Sequence, residues 1–176
     1  LTPHLLGKKP ACKVLLRPRS WGMLKGSLRM RIMAIDYGTH RLGLAVSDEL
    51  GLTAQALEVY ERRGRAADLA YLAEKAKELG AELIVVGLPL NMNGTQGPAA
   101  SAAKRFGRAL GRLSGLAVTF VDERLTTVAA ARGLRAMEVP RGRRREVVDK
   151  TAAALILQGY LDRIRGSASA REEGEE

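Results

Sequence analysis

From residue 30 onward, short apolar runs alternate with longer stretches in which apolar positions recur every three to four residues. The run RIMAID, residues 31–36, has the length and flanks of a buried strand. RLGLAVSD, residues 41–48, follows across a short Tyr37-Gly38-Thr39-His40 connection, which predicts a hairpin. AQALEVY, residues 54–60, is a weaker third strand. Ala66, Leu69, Ala70, Leu72, Ala73, Ala76 and Leu79 share one helical face, and Gly80 ends that helix. ELIVVGL, residues 82–88, is the clearest strand, and residues 98–113 read as a helix with Pro98 in its first turn. LAVTFV, residues 116–121, is a fifth strand. Residues 125–137 read as a helix, 138–148 (EVPRGRRREVV) as a loop, and 149–165 as a final helix.

The resulting order is β-β-β-α-β-α-β-α-α. Three leading strands suit a meander, and the two later strands need right-handed crossovers to parallel neighbours. The fold class is α/β, a five-stranded mixed sheet with helices on both faces.

Composition narrows the function. The 176 residues include 29 Lys+Arg and 19 Asp+Glu, a net charge of +10, which suggests a polyanionic partner such as nucleic acid. The charge is uneven. Residues 1–29 hold seven of the basic residues and no acid, so the remainder is only mildly basic. That segment is broken by Pro3, Pro10, Pro18, Gly7, Gly22 and Gly26 and reads as a disordered basic extension. Residues 30–165 form the domain, and 166–176 (GSASAREEGEE) an acidic flexible tail. Cys12 is the single cysteine, so an intrachain disulfide and a cysteine-based zinc site are excluded. No apolar run reaches the ~18 residues of a membrane span. The expected setting is cytoplasmic, with no membrane partner.

Three positions carry candidate chemistry. Asp36 ends the first strand, at the sheet edge where ligands of open α/β sheets bind. Gly38 lets the backbone approach a phosphate, and Thr39 adds a hydroxyl; an Asx-type turn is the structural alternative. Asp122, Glu123 and Arg124 follow the fifth strand. Neighbouring side chains on extended chain point to opposite faces, so only one of the two acids can face the site squarely. Acids at the start of a following helix are the alternative there. Asp149 lies on the apolar stripe with Ala153, Ile156 and Tyr160. It also suits the N-cap of a helix beginning at Lys150. Clustered carboxylates repel one another, and a divalent cation removes that penalty. Oxygen donors select Mg²⁺ or Mn²⁺.

Two further segments lie beside this edge. The loop GLPLNMNGTQGP offers Asn91 and its neighbours as neutral hydrogen-bonding groups, or is a plain connection. Basic residues group at Lys104, Arg105, Arg108 and Arg112, and again around Arg143, Arg144, Arg145 and Lys150 beside Asp149. The second group suits a grip on a phosphate backbone; solvated surface is the alternative for both.

The blocks MAIDYGTHRLGLAVSD, IVVGLPLNMNGTQGPAA, FVDERLTTVAA and VDKTAAALILQGYL resemble the YqgF family. The resemblance implies an RNase H-like fold, related to Holliday junction resolvases, and metal-dependent maturation of the 5′ end of pre-16S rRNA. It implies catalytic roles for Asp36, Glu123, Asp122 and Asp149, with Asp36, Glu123 and Asp149 as Mg²⁺ or Mn²⁺ ligands and Glu123 favoured over Asp122. It implies RNA as partner, with the small ribosomal subunit or branched DNA beside it, and a monomer or homodimer. The chain departs from related resolvases in two places. Leu88-Pro89-Leu90-Asn91 stands where they carry a fourth-strand acid, and Ala152 where a second helix acid occurs. Three further readings stand beside an RNA nuclease: a Holliday-junction resolvase, a non-catalytic RNA- or ribosome-binding module, and an actin-like ATP phosphotransferase. The last needs a second domain and a second phosphate motif.

Overall fold

In the computed structural model the described residues are 30–91, 93–123 and 144–172, with side chains of the last helix described for 151–166. The elements are β1 (Ile32–Tyr37), β2 (Arg41–Ser47), β3 (Ala54–Glu61), α1 (Arg65–Glu78), β4 (Leu83–Leu88), α2 (Pro98–Ser114), β5 (Ala117–Asp122) and α3 (Arg144–Glu172). The sheet order is β3-β2-β1-β4-β5. β1, β2 and β3 pair antiparallel as a meander, and β1, β4 and β5 are parallel. The five-stranded mixed sheet expected from the sequence is therefore present.

Strand alternation sorts the core into two layers. Met33, Ile35, Ile84 and Val86 face α1 and α2 and pack with Leu72, Ala76, Ala103, Phe106 and Leu110. Ile32, Ala34, Leu83, Val85 and Val121 face α3 and meet Ala153, Ile156, Leu157 and Leu161. Both faces of β1 and β4 are covered, which is why these strands read as unbroken apolar runs rather than alternating ones. The parallel pairing brings the carboxyl ends of β1, β4 and β5 to one edge, with Ile35 opposite Val86 and Leu88 opposite Asp122.

The last helix differs from expectation. It begins at Arg144, so Arg144, Arg145 and Asp149 are helical and Asp149 is not an N-cap. Arg144, Arg145 and Glu146 are good helix formers, so the helix starts ahead of the expected boundary at residue 149. The helix also continues to Glu172, through most of the segment expected as a flexible tail; Gly166 is tolerated within it at a cost of about 1 kcal/mol. The basic extension 1–29, the helix expected at 125–137, Arg124 and Arg143 lie outside the described residues.

Candidate active site

Asp36 is the last residue but one of β1 and pairs with Gly43 of β2. By alternation its side chain shares a face with Ile32 and Ala34, the face covered by α3. Glu123 follows β5 directly, and its amide donates to the Leu88 carbonyl at 3.3 Å. Its parity matches Val121, on the same α3 face, whereas Asp122 has the parity of Phe120 on the opposite face. The structure thus brings Asp36 and Glu123 together, and their carboxyl groups share a hydrogen bond.

Gly87 of β4 makes this meeting possible. A Cβ there would lie 2.5 Å from Glu123 Oε1 and 2.7 Å from Ile156 Cδ1. The fourth strand supplies no acid on this face; it supplies an absence of side chain, and the Glu123 carboxyl occupies the space. Glu123 Oε1 is buried from solvent. Burial first, then the charge and hydrogen bond of Asp36, then the charge of Asp122, push the Glu123 carboxyl up from 4.5 to about 7. Near neutral pH the pair therefore carries a proton for part of the time.

These donors fit a hard divalent cation. Two carboxyls held at hydrogen-bond distance, one on the verge of ionising, are oxygen ligands whose repulsion a cation would offset. Among the described residues no group of three metal-binding side chains occurs. A third acid would come from Asp149, placed one helical turn before the buried Ala153 in α3, with its side chain outside the described residues.

The turn after Asp36 is held from behind. The Gly38 amide donates to the Arg41 carbonyl at 3.0 Å, and a Cβ on Gly38 would come within 2.5 Å of that oxygen. Gly38 is thus required by the hairpin itself. Arg62 donates to the Tyr37 hydroxyl at 3.1 Å, the Gly38 carbonyl at 3.1 Å and the Thr39 carbonyl at 3.4 Å. Its Nε donates to Asp68 Oδ2 at 2.9 Å, and the guanidinium lies 4.8 Å from the centre of the Tyr37 ring. Asp68 is fully buried. Burial opposes its charge, but the Arg63 amide and the Arg62 guanidinium outweigh it and hold the carboxyl below its ordinary value. Thr39 is exposed, with its hydroxyl 3.0 Å from His40 Nδ1.

Asn91 closes the loop after β4 upon itself. Its amide donates to the Thr95 carbonyl at 3.0 Å and its Nδ2 to Thr95 Oγ1 at 2.9 Å. The side chains of Arg144, Arg145 and Lys150 lie outside the described residues, as Arg124 and Arg143 do entirely.

Gly87, Arg62 and Asp68 were not singled out by the sequence reading. A glycine inside the otherwise aliphatic run LIVVGL was the available signal for Gly87, since strand glycines mark close approach. Arg62 and Asp68 carry no comparable local sign.

Comparison with known proteins identifies the family. The model of the RuvX family, described as Holliday junction resolvase, matches residues 30–163. The chain belongs to the RuvX family. This is the YqgF family that the four sequence blocks resemble. A relative in Moorella thermoacetica, named "Putative pre-16S rRNA nuclease", is 56% identical over 135 residues, covering 77% of this chain and 96% of that protein. A Myxococcus xanthus relative of the same name is 51% identical over 136 residues, covering 77% and 90%. Among solved structures, Thermus thermophilus RuvC in complex with Holliday junction substrate superposes with a TM-score of 0.51 at 20% identity, covering 77% of this chain and 96% of that one. That likeness shows a shared fold. RuvX membership makes the chain a hydrolase of the nuclease class.

Proposed function

We propose that this RuvX protein hydrolyses phosphodiester bonds in RNA, at the 5′ end of pre-16S rRNA, using Asp36, Glu123 and Asp149 to hold Mg²⁺ or Mn²⁺. The observation that carries this reading is the Asp36–Glu123 pair. Two acids from separate strands share one hydrogen bond over Gly87, an arrangement that works against folding at neutral pH unless it serves a cation. The names of the RuvX relatives support the substrate.

When bound, such a cation supplies positive charge at the scissile phosphate and lowers the cost of generating a nucleophile from water. The chain's own residues do the rest. Glu123 holds a proton between itself and Asp36 and would release it to water on ionising, leaving both carboxylates able to hold the cation. The Gly38 turn, with Thr39 outermost and Arg62 fixing its carbonyls, positions the strand, joined by Asn91, Arg124, Arg143, Arg144, Arg145 and Lys150. Asp122, on the opposite face, raises the local negative charge and is the least direct of the four acids.

Residues 30–165 form the nuclease unit in this reading, and the site of action is cytoplasmic. Among the described residues no helix is long and apolar enough to cross a membrane.

A second reading, cleavage of branched DNA, is favoured by the family's description as Holliday junction resolvase. One assay tests both. Single-stranded RNA, structured pre-16S RNA and a four-way DNA junction are each incubated with Mn²⁺, with EDTA, and with the Asp149→Asn variant in Mn²⁺. Cleavage of RNA that needs Mn²⁺ and Asp149 is expected. Cleavage of the junction alone gives the second reading, and equal products under every condition overturn both.

A further inference from the structure

The exposed face of α2 is charged with one sign only. Its 17 residues, PAASAAKRFGRALGRLS, contain four cations and no acid. At 100° per residue, Lys104, Arg108, Arg112 and Arg105 fall within an arc of about 100°. Ala100, Ala103, Phe106, Gly107 and Leu110 are buried on the other side, against the sheet. Arg105, Arg108 and Arg112 are exposed and Lys104 is half-buried. Lys104, Arg108 and Arg112 recur every four residues, a step of about 6 Å along the axis.

The neighbouring helix on the same sheet face provides the contrast. In α1, Lys75 pairs with Glu78 at 3.0 Å and with Glu58 at 4.0 Å, and Lys77 pairs with Glu74 at 3.9 Å. That is the mixed-sign surface ordinary for a soluble helix. Among the described residues, none of the four α2 cations has such an acidic partner. A row of like charges repels itself, and an external polyanion turns it into a gain.

We propose that α2 is a second nucleic-acid contact, binding the phosphate backbone of a substrate strand away from the cleavage site. This rests on the nuclease reading, since a nuclease has such a strand in hand. The Asp36–Glu123 pair lies on the α3 face and α2 covers the other, so the strand passes around the sheet edge rather than ending at the acids. The contact is to phosphates and is independent of sequence.

The test compares wild type with the Arg105→Gln/Arg108→Gln/Arg112→Gln variant in binding a long single-stranded RNA, in EDTA, across a range of salt. Single-stranded DNA of equal length serves as a parallel arm. Each lost phosphate contact removes about 0.7 from the slope of log affinity against log salt, so the slope falls by about 2 with either polymer. A Lys77→Gln variant, which removes a paired cation from α1, leaves the slope unchanged. Equal thermal melting of all three proteins excludes misfolding, and cleavage of a very short RNA in Mn²⁺ is unchanged in the triple variant. An unaltered slope in that variant, or an equal loss per charge in Lys77→Gln, overturns the proposal. Either result leaves wild-type cleavage, and with it the nuclease reading, standing. Loss of wild-type cleavage counts against the nuclease reading instead.

Discussion

Asp36 near the end of β1 and Glu123 just beyond β5 share a hydrogen bond between their carboxyl groups, in the space that Gly87 of the intervening strand leaves open. Burial and the Asp36 charge together raise Glu123 to about 7. Near pH 7 the pair therefore shares a proton, which a bound cation would displace.

That raised value has a sign for stability. Between 4.5 and about 7 the folded protein retains a proton that the unfolded chain has released. The stabilisation linked to it is full below 4.5 and is lost as pH rises through about 7. In EDTA, melting temperature should therefore decline over this window, and Glu123→Gln should flatten the decline. Titrating Mn²⁺ calorimetrically at pH 6 in two buffers of different ionisation enthalpy should show proton release, absent in Glu123→Gln. Buffer-independent heats in the wild type would count against a shared proton.

Gly87→Ala separates packing from chemistry. The added methyl would meet both Glu123 Oε1 and Ile156 Cδ1. Overpacking of this kind costs about 1–3 kcal/mol, read by urea denaturation. Adding Ile156→Val removes the second clash and should recover part of the stability. Cleavage should stay depressed, because the Glu123 carboxyl is still displaced. Full recovery of activity in the double variant would show that Glu123 does not need this position.

Asp122 and Glu123 should behave differently. Asp36→Asn and Glu123→Gln should each lower cleavage at least about 100-fold, the larger end of what losing even a supporting group behind a metal ligand brings. Asp122→Asn should cost less than about 10-fold, since its side chain has the parity of the α1–α2 face. Equal losses for Asp122 and Glu123 in single-turnover rates would contradict the assignment by face.

Asp68→Ala leaves the Arg62 guanidinium without its buried carboxylate partner. Breaking such a pair costs about 3–5 kcal/mol, which chemical denaturation measures directly. Its carboxyl is held below 3.8, so its contribution is present above that value and fades as pH falls through the depressed one. Acid unfolding of the wild type should show this limb and Asp68→Ala should lack it. A loss under about 1 kcal/mol would mean that Arg62 finds another partner.

Local pattern was enough to read most of the fold. Short apolar runs located the described strands and period-3.6 spacing the helices, because burial of a face or of a whole strand is encoded residue by residue. Boundaries were read less well. α3 runs from Arg144 to Glu172, past both ends of the 149–165 that its apolar spacing indicates, because a helix can extend over polar residues that bury nothing.

The sequence by itself determined which acids exist, which strands and helix carry them, and that Asp122 and Glu123 must part company. Tertiary structure alone decided that Glu123 shares a face with Asp36 and that Gly87 makes room for it. It likewise decided that Arg62, anchored by Asp68, holds the turn beyond Asp36. The first of these depends on which strands pair and in what register, and β1, β4 and β5, far apart in the chain, are brought side by side only by the whole fold.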